Sequence, residues 1–482
     1  MFNLLDVVLL VLSILFLWNI LQKKHNILRT YPIIGHLRFI AENSGIYLRR
    51  FFYARDREEL PFNRSERNWV YDASNNVEPI VGFGSTRDLK PINTIYFVDA
   101  PFPMQSQDAV KTRPVTIGQH CDFPYTTSSL INISAMSFGA ISKNAILALS
   151  QGAKMAGCWL NTGEGGLTQY HLESGCDLVA QIGTAKFGYQ DENGHLSDEK
   201  LKNMAAFPQV KMIEIKLSQG AKPGKGGLLP RNKVTPEIAK IRGIKPYQDA
   251  ISPNRFSEIS NSSELLDFIH HIRTLTGKPT GFKIVLGNYD WLDDLCQEIK
   301  KRGLDFAPDF ITLDGAEGGS GAAPMSLIDY MGLPISESLP VLVDKLKEYG
   351  LRERIKIIAA GKLITAGMVA WALCVGADFV NSARGFMFAL GCIQALRCHK
   401  NTCPTGIATH NLWLMRGLDP KDKAVRVYHY VKNLEYEVGL ICHSCGVHEP
   451  RELKRHHVRV VSEHGKSISL ADIHPDNSVS HQ

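Results

Sequence analysis

Eight short apolar runs punctuate the chain between residues 130 and 385. They are LINISAMS (130–137), CWLNTGEGG (158–166), DLVAQIG (177–183), KMIEIKLSQG (211–220), GFKIVLG (281–287), DFITLDG (309–315), IKIIAAG (355–361) and ADFVNSARG (377–385). Strands that are apolar on both faces belong to parallel sheets, which are covered on both sides. Between many of these runs lie segments with apolar residues three to four apart: SKNAILALSQGAKMAG, SSELLDFIHHIRTL, WLDDLCQEIKKRG and AGMVAWALCVGA. That period is the mark of a helix with one buried face. The alternation predicts an α/β fold, a (β/α)8 TIM barrel over 111–410. An open doubly wound sheet is the alternative, but it usually has fewer strands. Beyond 411 the chain is charged and ends in a polar run, which reads as a small C-terminal extension, a cap and tail.

A different pattern stands at the N-terminus. Residues 4–21 read LLDVVLLVLSILFLWNIL, with Asp6 and Asn19 as the strongly polar members. A spanning helix needs roughly 17–25 apolar residues, so the run suffices for a transmembrane anchor. No small-residue cleavage site follows it, so the helix is expected to be retained. Lys23, Lys24 and Arg29 come next. By the positive-inside rule they predict a single-pass protein of the inner (cytoplasmic) membrane with its bulk in the cytoplasm. Residues 23–70 hold ten Lys or Arg against five Asp or Glu. This basic N-terminal region, 23–110, suits an anionic membrane surface or a solvated helical subdomain equally well.

Composition narrows the class without deciding it. Apolar residues make up 44% and charged residues 21%, ordinary for a globular chain. A net charge of +6 without a recognition motif gives no case for nucleic acid. Ten cysteines in 482 residues fit reduced thiols better than a secreted disulfide scaffold.

In such a barrel the active site is built from the C-terminal ends of the strands. Strand 1 offers Ser134, Ala135, Met136 and Ser137, strand 2 offers Glu164, and strand 3 offers Gln181, with Thr184 and Lys186 beyond it. Lys216 and Lys283, on strands 4 and 5, point into an apolar barrel and require polar company. The glycine-rich loop after strand 6, with Gly318 and Gly319, joins Gly361, Ala383 and Arg384 at the rim where barrels commonly hold phosphate. A phosphate subsite, cations and amide donors in one pocket suit flavin mononucleotide, with a lysine near its ring. Cys392, Cys398 and Cys403 lie close in sequence, which by spacing alone fits either buried packing or a metal site. CHSC (442–445), with His443 and His448, is not a usual zinc-finger spacing and reads as a packed pair.

The segments SAMSFGAIS (134–142), NTGEGG (161–166), KLSQGAKPGKGGLLP (216–230), EGGSGAAP (317–324) and GCIQALRCHKNTCPTGIAT (391–409) resemble the synthase domain of glutamate synthase. The resemblance covers about residues 110–410 and is closest to stand-alone members with an N-terminal hydrophobic segment. It implies FMN and a [3Fe–4S] cluster held by the C-x5-C-x4-C spacing of Cys392, Cys398 and Cys403. It implies reductive amination of 2-oxoglutarate, through 2-iminoglutarate, to L-glutamate. Lys222 matches the lysine that holds the oxo-acid, Arg242 an arginine that pairs with a substrate carboxylate, and Glu164 the acidic group at the imine step. Two departures stand out. Leu228 occupies the place of a substrate-contacting glutamine, and Phe256–Ser257–Glu258 replaces a His-His-Asp run. No glutaminase or NADPH-binding unit is visible. Ammonia or another amine, and electrons from a ferredoxin-like or reductase donor, are therefore expected from elsewhere. The alternative is a membrane-associated flavin and iron–sulfur electron-transfer module that no longer makes glutamate, or a synthase acting on another amine or oxo-acid.

Overall fold

The computed structural model describes residues 3–22, 25–78 and 80–475. The chain divides into two compact units, Met1–Arg67 and Asn68–Gln482. In the first, the helix Leu4–Leu21 is almost wholly exposed, and it is long and apolar enough to cross a membrane. Its buried residue is Asn19, whose Nδ2 donates to the Pro32 carbonyl at 2.6 Å and lies 2.8 Å from His36 Nε2. Lys23 and Lys24, on which the orientation rule leans, lie outside the described residues.

In the second unit all eight predicted strands form, and they close. They are β1 (Ile131–Ile133), β2 (Leu160–Asn161), β3 (Leu178–Ile182), β4 (Val210–Lys216), β5 (Thr280–Ile284), β6 (Phe310–Asp314), β7 (Lys356–Ala360) and β8 (Phe379–Ser382). Each pairs in parallel with its sequence neighbour, and β8 pairs with β1, so the sheet has no edge. The fold is a (β/α)8 TIM barrel, and the open-sheet alternative is excluded. The helices follow the apolar spacing. Lys143–Ala156 begins at Ser142, whose side chain accepts from the Ala145 N–H, and ends at Gly157 in the left-handed region. Ser262–Thr276 is capped in the same way by Asn261 and Gly277.

The floor of the barrel is apolar. Trp159, Val179, Met212, Phe310, Ile358 and Phe379 pack with Ile117 and Tyr125. The last two come from a hairpin, Val115–Ile117 with Tyr125–Thr127, that plugs the N-terminal mouth. The Trp159 indole N–H donates to Asn381 at 3.1 Å. A plugged floor leaves the opposite mouth for chemistry.

The segment beyond 411 holds more structure than its charge pattern suggests. Pro420–Ser444 is a 25-residue helix that packs on Lys143–Ala156 and on the apolar helix Ala366–Val375. Burial between barrel and outer helix explains why Ala366–Val375 is apolar all round. Further on, Val458–Val461 pairs antiparallel with Ile95–Phe97, which joins the two ends of this unit in one small sheet. Cys442 and Cys445 are both buried, and the Cys442 thiol donates to the Val447 carbonyl at 3.1 Å.

Candidate active site

The barrel interior carries a polar tier above its apolar floor. Glu214 of β4 is buried and accepts from Asn161 Nδ2 (2.8 Å), Gln181 Nε2 (2.6 Å) and Thr312 Oγ1 (2.5 Å). Donors from β2, β3 and β6 thus converge on one carboxylate. The pleat explains this: side chains alternate along a strand, so an inward Lys216 requires an inward Glu214 two residues earlier. Gln181, expected in the cofactor pocket, spends its amide on Glu214.

One step higher sit the lysines. Lys216 and Lys283 are register partners on adjacent strands. Two like charges about 4 Å apart would repel by about 4 kcal/mol at an effective dielectric near 20, so each needs its own anion. Each has one. Lys216 Nζ lies 2.9 Å from Glu164, and Lys283 Nζ lies 3.0 Å from Asp314. Asp314 also accepts the Gly220 N–H at 2.9 Å. Burial alone would lower Lys283, but Asp314, Glu214 and Glu164 outweigh it and hold the ammonium above its ordinary range.

Glu164 occupies a slot that glycine makes. A Cβ on Gly227 would lie 2.2 Å from its Oε1, and one on Gly183 would lie 2.7 Å from its Oε2. Burial pushes this carboxyl up, but Lys216, Lys222 and Arg242 more than offset that and hold it below the usual carboxylate range.

Lys222 behaves differently from the two strand lysines. It is buried, and its Nζ donates to the Ala322 carbonyl at 3.1 Å in the loop after β6. With no carboxylate in contact among the described residues, burial and the nearby Lys216 charge pull it down to about 8, despite Glu164. Arg242 ends the short helix Pro236–Arg242 and is also buried. It donates through Nη2 to the Phe138 carbonyl (3.1 Å) and Ser137 Oγ (3.4 Å), while its Nε has no partner among the described residues. Burial lowers it to about 10, against the pull of Glu164. The three residues expected to carry catalysis therefore share one electrostatic neighbourhood, and none is a surface group.

At the rim, Ser134 is buried and its N–H donates to the Ser382 carbonyl at 3.0 Å, beside partly buried Ala135 and Met136. Gly318 is buried and donates to the Gly315 carbonyl. A Cβ on Gly319 would lie 2.9 Å from Arg384 Nε, and Gly361 has a φ of +131° that disfavours any side chain. Ala383 opens the helix Arg384–Ala389. Arg384 itself reaches sideways. Its Nη2 donates to the Ser320 carbonyl (2.8 Å) and its Nη1 to Cys398 Sγ (3.9 Å). Two neighbours of the strand ends turn away from this centre: Thr184 donates to the Pro253 carbonyl, and Lys186 pairs with Glu258 at 2.5 Å.

The three loop cysteines lie beyond Arg384. Burial raises the Cys392 thiol to about 11, against the Arg384 charge; Cys398 and Cys403 add to the rise. Cys403 Sγ is 3.4 Å from Thr405 Oγ1. Among the described residues no three His, Cys, Asp or Glu side chains are grouped to hold a metal ion, these cysteines and the Cys442–Cys445 pair included. Lys233, overlooked in the sequence because it sits on a turn outside the strand pattern, is fully buried behind this loop. Leu228 is half exposed on a two-residue strand paired with Ala250–Ile251. Phe256, in the place of the expected His-His-Asp run, is buried against Phe268.

Similarity to known proteins gives the family. The conserved region in glutamate synthase matches residues 101–448. The glutamate synthase large subunit-like protein YerD of Bacillus subtilis is 40% identical over 504 residues, covering 95% of each chain. The archaeal glutamate synthase (NADPH) of Methanocaldococcus jannaschii is 33% identical over 347 residues, which are 71% of this chain and 64% of that one. The match thus spans about two thirds of the archaeal relative's length. Among solved structures, a flavocytochrome b2 mutant with benzoylformate is 14% identical with a TM-score of 0.48, covering 88% of this chain and 85% of that one. The chain belongs to the glutamate synthase family. It is an enzyme of that class, an oxidoreductase of the kind that acts on CH–NH2 groups.

Proposed function

We propose that the protein reductively aminates a 2-oxo acid of the 2-oxoglutarate class, using FMN and a [3Fe–4S] cluster, with ammonia or an amine and electrons supplied by other proteins. The observation that carries this reading is the buried charge set Glu164, Lys216, Lys222 and Arg242 at one side of the barrel mouth. Lys222 and Arg242 are two buried cations with donor capacity to spare, set to receive the carboxylates of a dicarboxylic acid. Arg242 keeps for this an Nε that has no partner among the described residues. Glu164, ionised beside Lys216, takes or gives the proton at the reacting nitrogen.

The residues present suit the flavin. Lys216, Lys283 and Gln181 supply the polar ring of the pocket, Ser134 to Ser137 the backbone beside it, and Gly318, Gly319, Gly361 and Ala383 a phosphate rim tight enough to require glycine, while Arg384, expected there too, turns to Ser320 and Cys398. FMN, when bound, supplies hydride chemistry. The donor set also suits the cluster. Cysteine thiolate is the usual ligand of iron–sulfur clusters, and one loop supplies three cysteines beside the Arg384 charge. Cys392, Cys398 and Cys403 would hold it.

The same reading makes Leu4–Leu21 a single-pass anchor in the inner membrane, with the basic segment after it on the cytoplasmic side. Leu228 replaces a polar group with an apolar one, which favours variation in the oxo-acid or amine over loss of chemistry.

The test is anaerobic. The protein is purified in detergent, its flavin is reduced, and 2-oxoglutarate and ammonia are added while flavin absorbance is followed. Rapid reoxidation that needs both additions and forms glutamate supports the reading. A stable reduced flavin, with 2-oxoglutarate and with other oxo-acids alike, sinks it.

A further inference from the structure

A buried cation without an anion is costly, and proteins avoid it. The barrel mouth follows that rule with Lys216–Glu164 and Lys283–Asp314. Lys222 and Arg242 are left for substrate, and two further cations lack a carboxylate among the described residues: Lys233, which is buried, and Arg384, which is partly buried. Lys233 is 1% exposed, and its Nζ donates to the carbonyls of Ala140 (2.6 Å) and Cys398 (3.2 Å). Arg384 donates to the Ser320 carbonyl and to Cys398 Sγ. Neither has a carboxylate partner among the described residues. The sequence sharpens the imbalance. Residues 379–418 contain no Asp or Glu, yet hold Arg384, Arg397, Lys400 and Arg416.

The two cations arrive from different parts of the chain, one after β4 and one at the end of β8, and meet at one residue. Lys233 holds the backbone of Cys398, and Arg384 holds its sulfur. The groups on that loop able to carry negative charge are its thiols. We propose that Lys233 and Arg384 are the fixed counter-charges of an anionic, thiolate-held cluster on the Cys392–Cys403 loop, and that they set its reduction potential. This rests on the cluster reading above. The two act as positioning residues. When an external one-electron reductant adds its electron to the cluster, the loop gains one negative charge. Both cations favour that state and raise the potential.

The test uses the full chain in detergent, with iron and acid-labile sulfide counted per chain. The midpoint is read by dithionite titration followed by EPR of the oxidised cluster. Lys233→Gln keeps a donor for the two carbonyls and removes the charge; Lys233→Met removes both. Lys233→Arg keeps the charge. The neutral variants are expected to retain iron and to shift the reduction equilibrium about tenfold toward the oxidised form, about 59 mV for one electron. Lys233→Arg is expected to stay near wild type. Loss of iron in both neutral variants with retention in Lys233→Arg also supports a required charge. A neutral variant with full iron and an unchanged midpoint overturns the inference alone. So does iron loss in Lys233→Arg as well, since shape would then matter and not charge. Wild-type protein without iron or sulfide would overturn the cluster reading and this one together.

Discussion

The two sides of the barrel mouth are built on opposite electrostatic plans. On the side of Glu164, cations and carboxylates are supplied together: Lys216 has Glu164, Lys283 has Asp314, and Glu214 gathers three donors beneath them. On the side of Cys398, Lys233 has two carbonyls and Arg384 a carbonyl and a thiol, but neither has a carboxylate among the described residues. The first side pairs its strand lysines within the chain and leaves Lys222 and Arg242 for an incoming carboxylate, which suits proton movement beside a bound substrate. The second keeps a surplus of positive charge, which suits a centre that itself carries negative charge. The difference teaches where to look for each function. Acid–base work belongs where charges cancel, and redox poise belongs where they do not.

The largest effect should come from the thiol side. Cys403→Ser is expected to lose the bound iron almost completely, measured as iron and sulfide per chain, because a cluster held by three thiolates has none to spare. Full iron in that variant would break the comparison outright.

On the paired side, Lys222→Ala is expected to lower kcat/KM on the order of 100-fold or more, since it strips a buried charge from its substrate partner. Flavin reduction by the donor should be unaffected, which stopped-flow absorbance would check. Turnover that survives this change would reassign Lys222.

Stability separates the pairs next. Glu164→Ala leaves Lys216 buried without its anion, which is expected to cost about 3–5 kcal/mol in urea unfolding. A cost under about 1 kcal/mol would mean that water reaches the pair as it does at a surface bridge.

The pH test is subtler and has a definite sign. Lys222 is held down to about 8 in the folded chain, against an ordinary 10.5. The unfolded chain therefore binds that proton more tightly, and stability should rise with pH between about 8 and 10.5. Affinity for the oxo-acid should fall as pH passes upward through about 8, because the ammonium is lost. Titrations of flavin absorbance with oxo-acid at stepped pH, beside urea curves, would show the two trends opposed. Parallel trends would contradict a binding role for the ammonium.

The smallest change is Leu228→Gln. The side chain is half exposed, so stability should move by no more than about 0.5 kcal/mol. A change in preference among oxo-acids, read as a ratio of kcat/KM values, is the expected signature.

The barrel was legible because burial on both faces writes strands as unbroken apolar runs, as in IKIIAA and DFITLD. The charged site residues were legible from motif resemblance and from lysines in apolar runs. Glu214 was within reach, two residues from Lys216 on the same face of β4, and was missed because a glutamate between isoleucines reads as an interruption. Lys233 had no such signal. Its partner Cys398 is 165 residues away, and a lysine on a turn looks solvated until the fold buries it. The Ile95–Phe97 strand was invisible for a similar reason: three residues carry no period, and their partner lies at the far end of the unit.

That last pairing has a consequence for how the protein is made. Ile95–Phe97 leaves the ribosome long before its hydrogen-bonding partner Val458–Val461 is translated. β1 waits likewise for β8. Until then the nascent chain presents unpaired strand edges, the surfaces through which chains most readily stick to one another. Messages interrupted before codon 458 are therefore expected to yield insoluble, protease-sensitive products even though the whole barrel has been synthesised, and pulse-labelled truncations would show it.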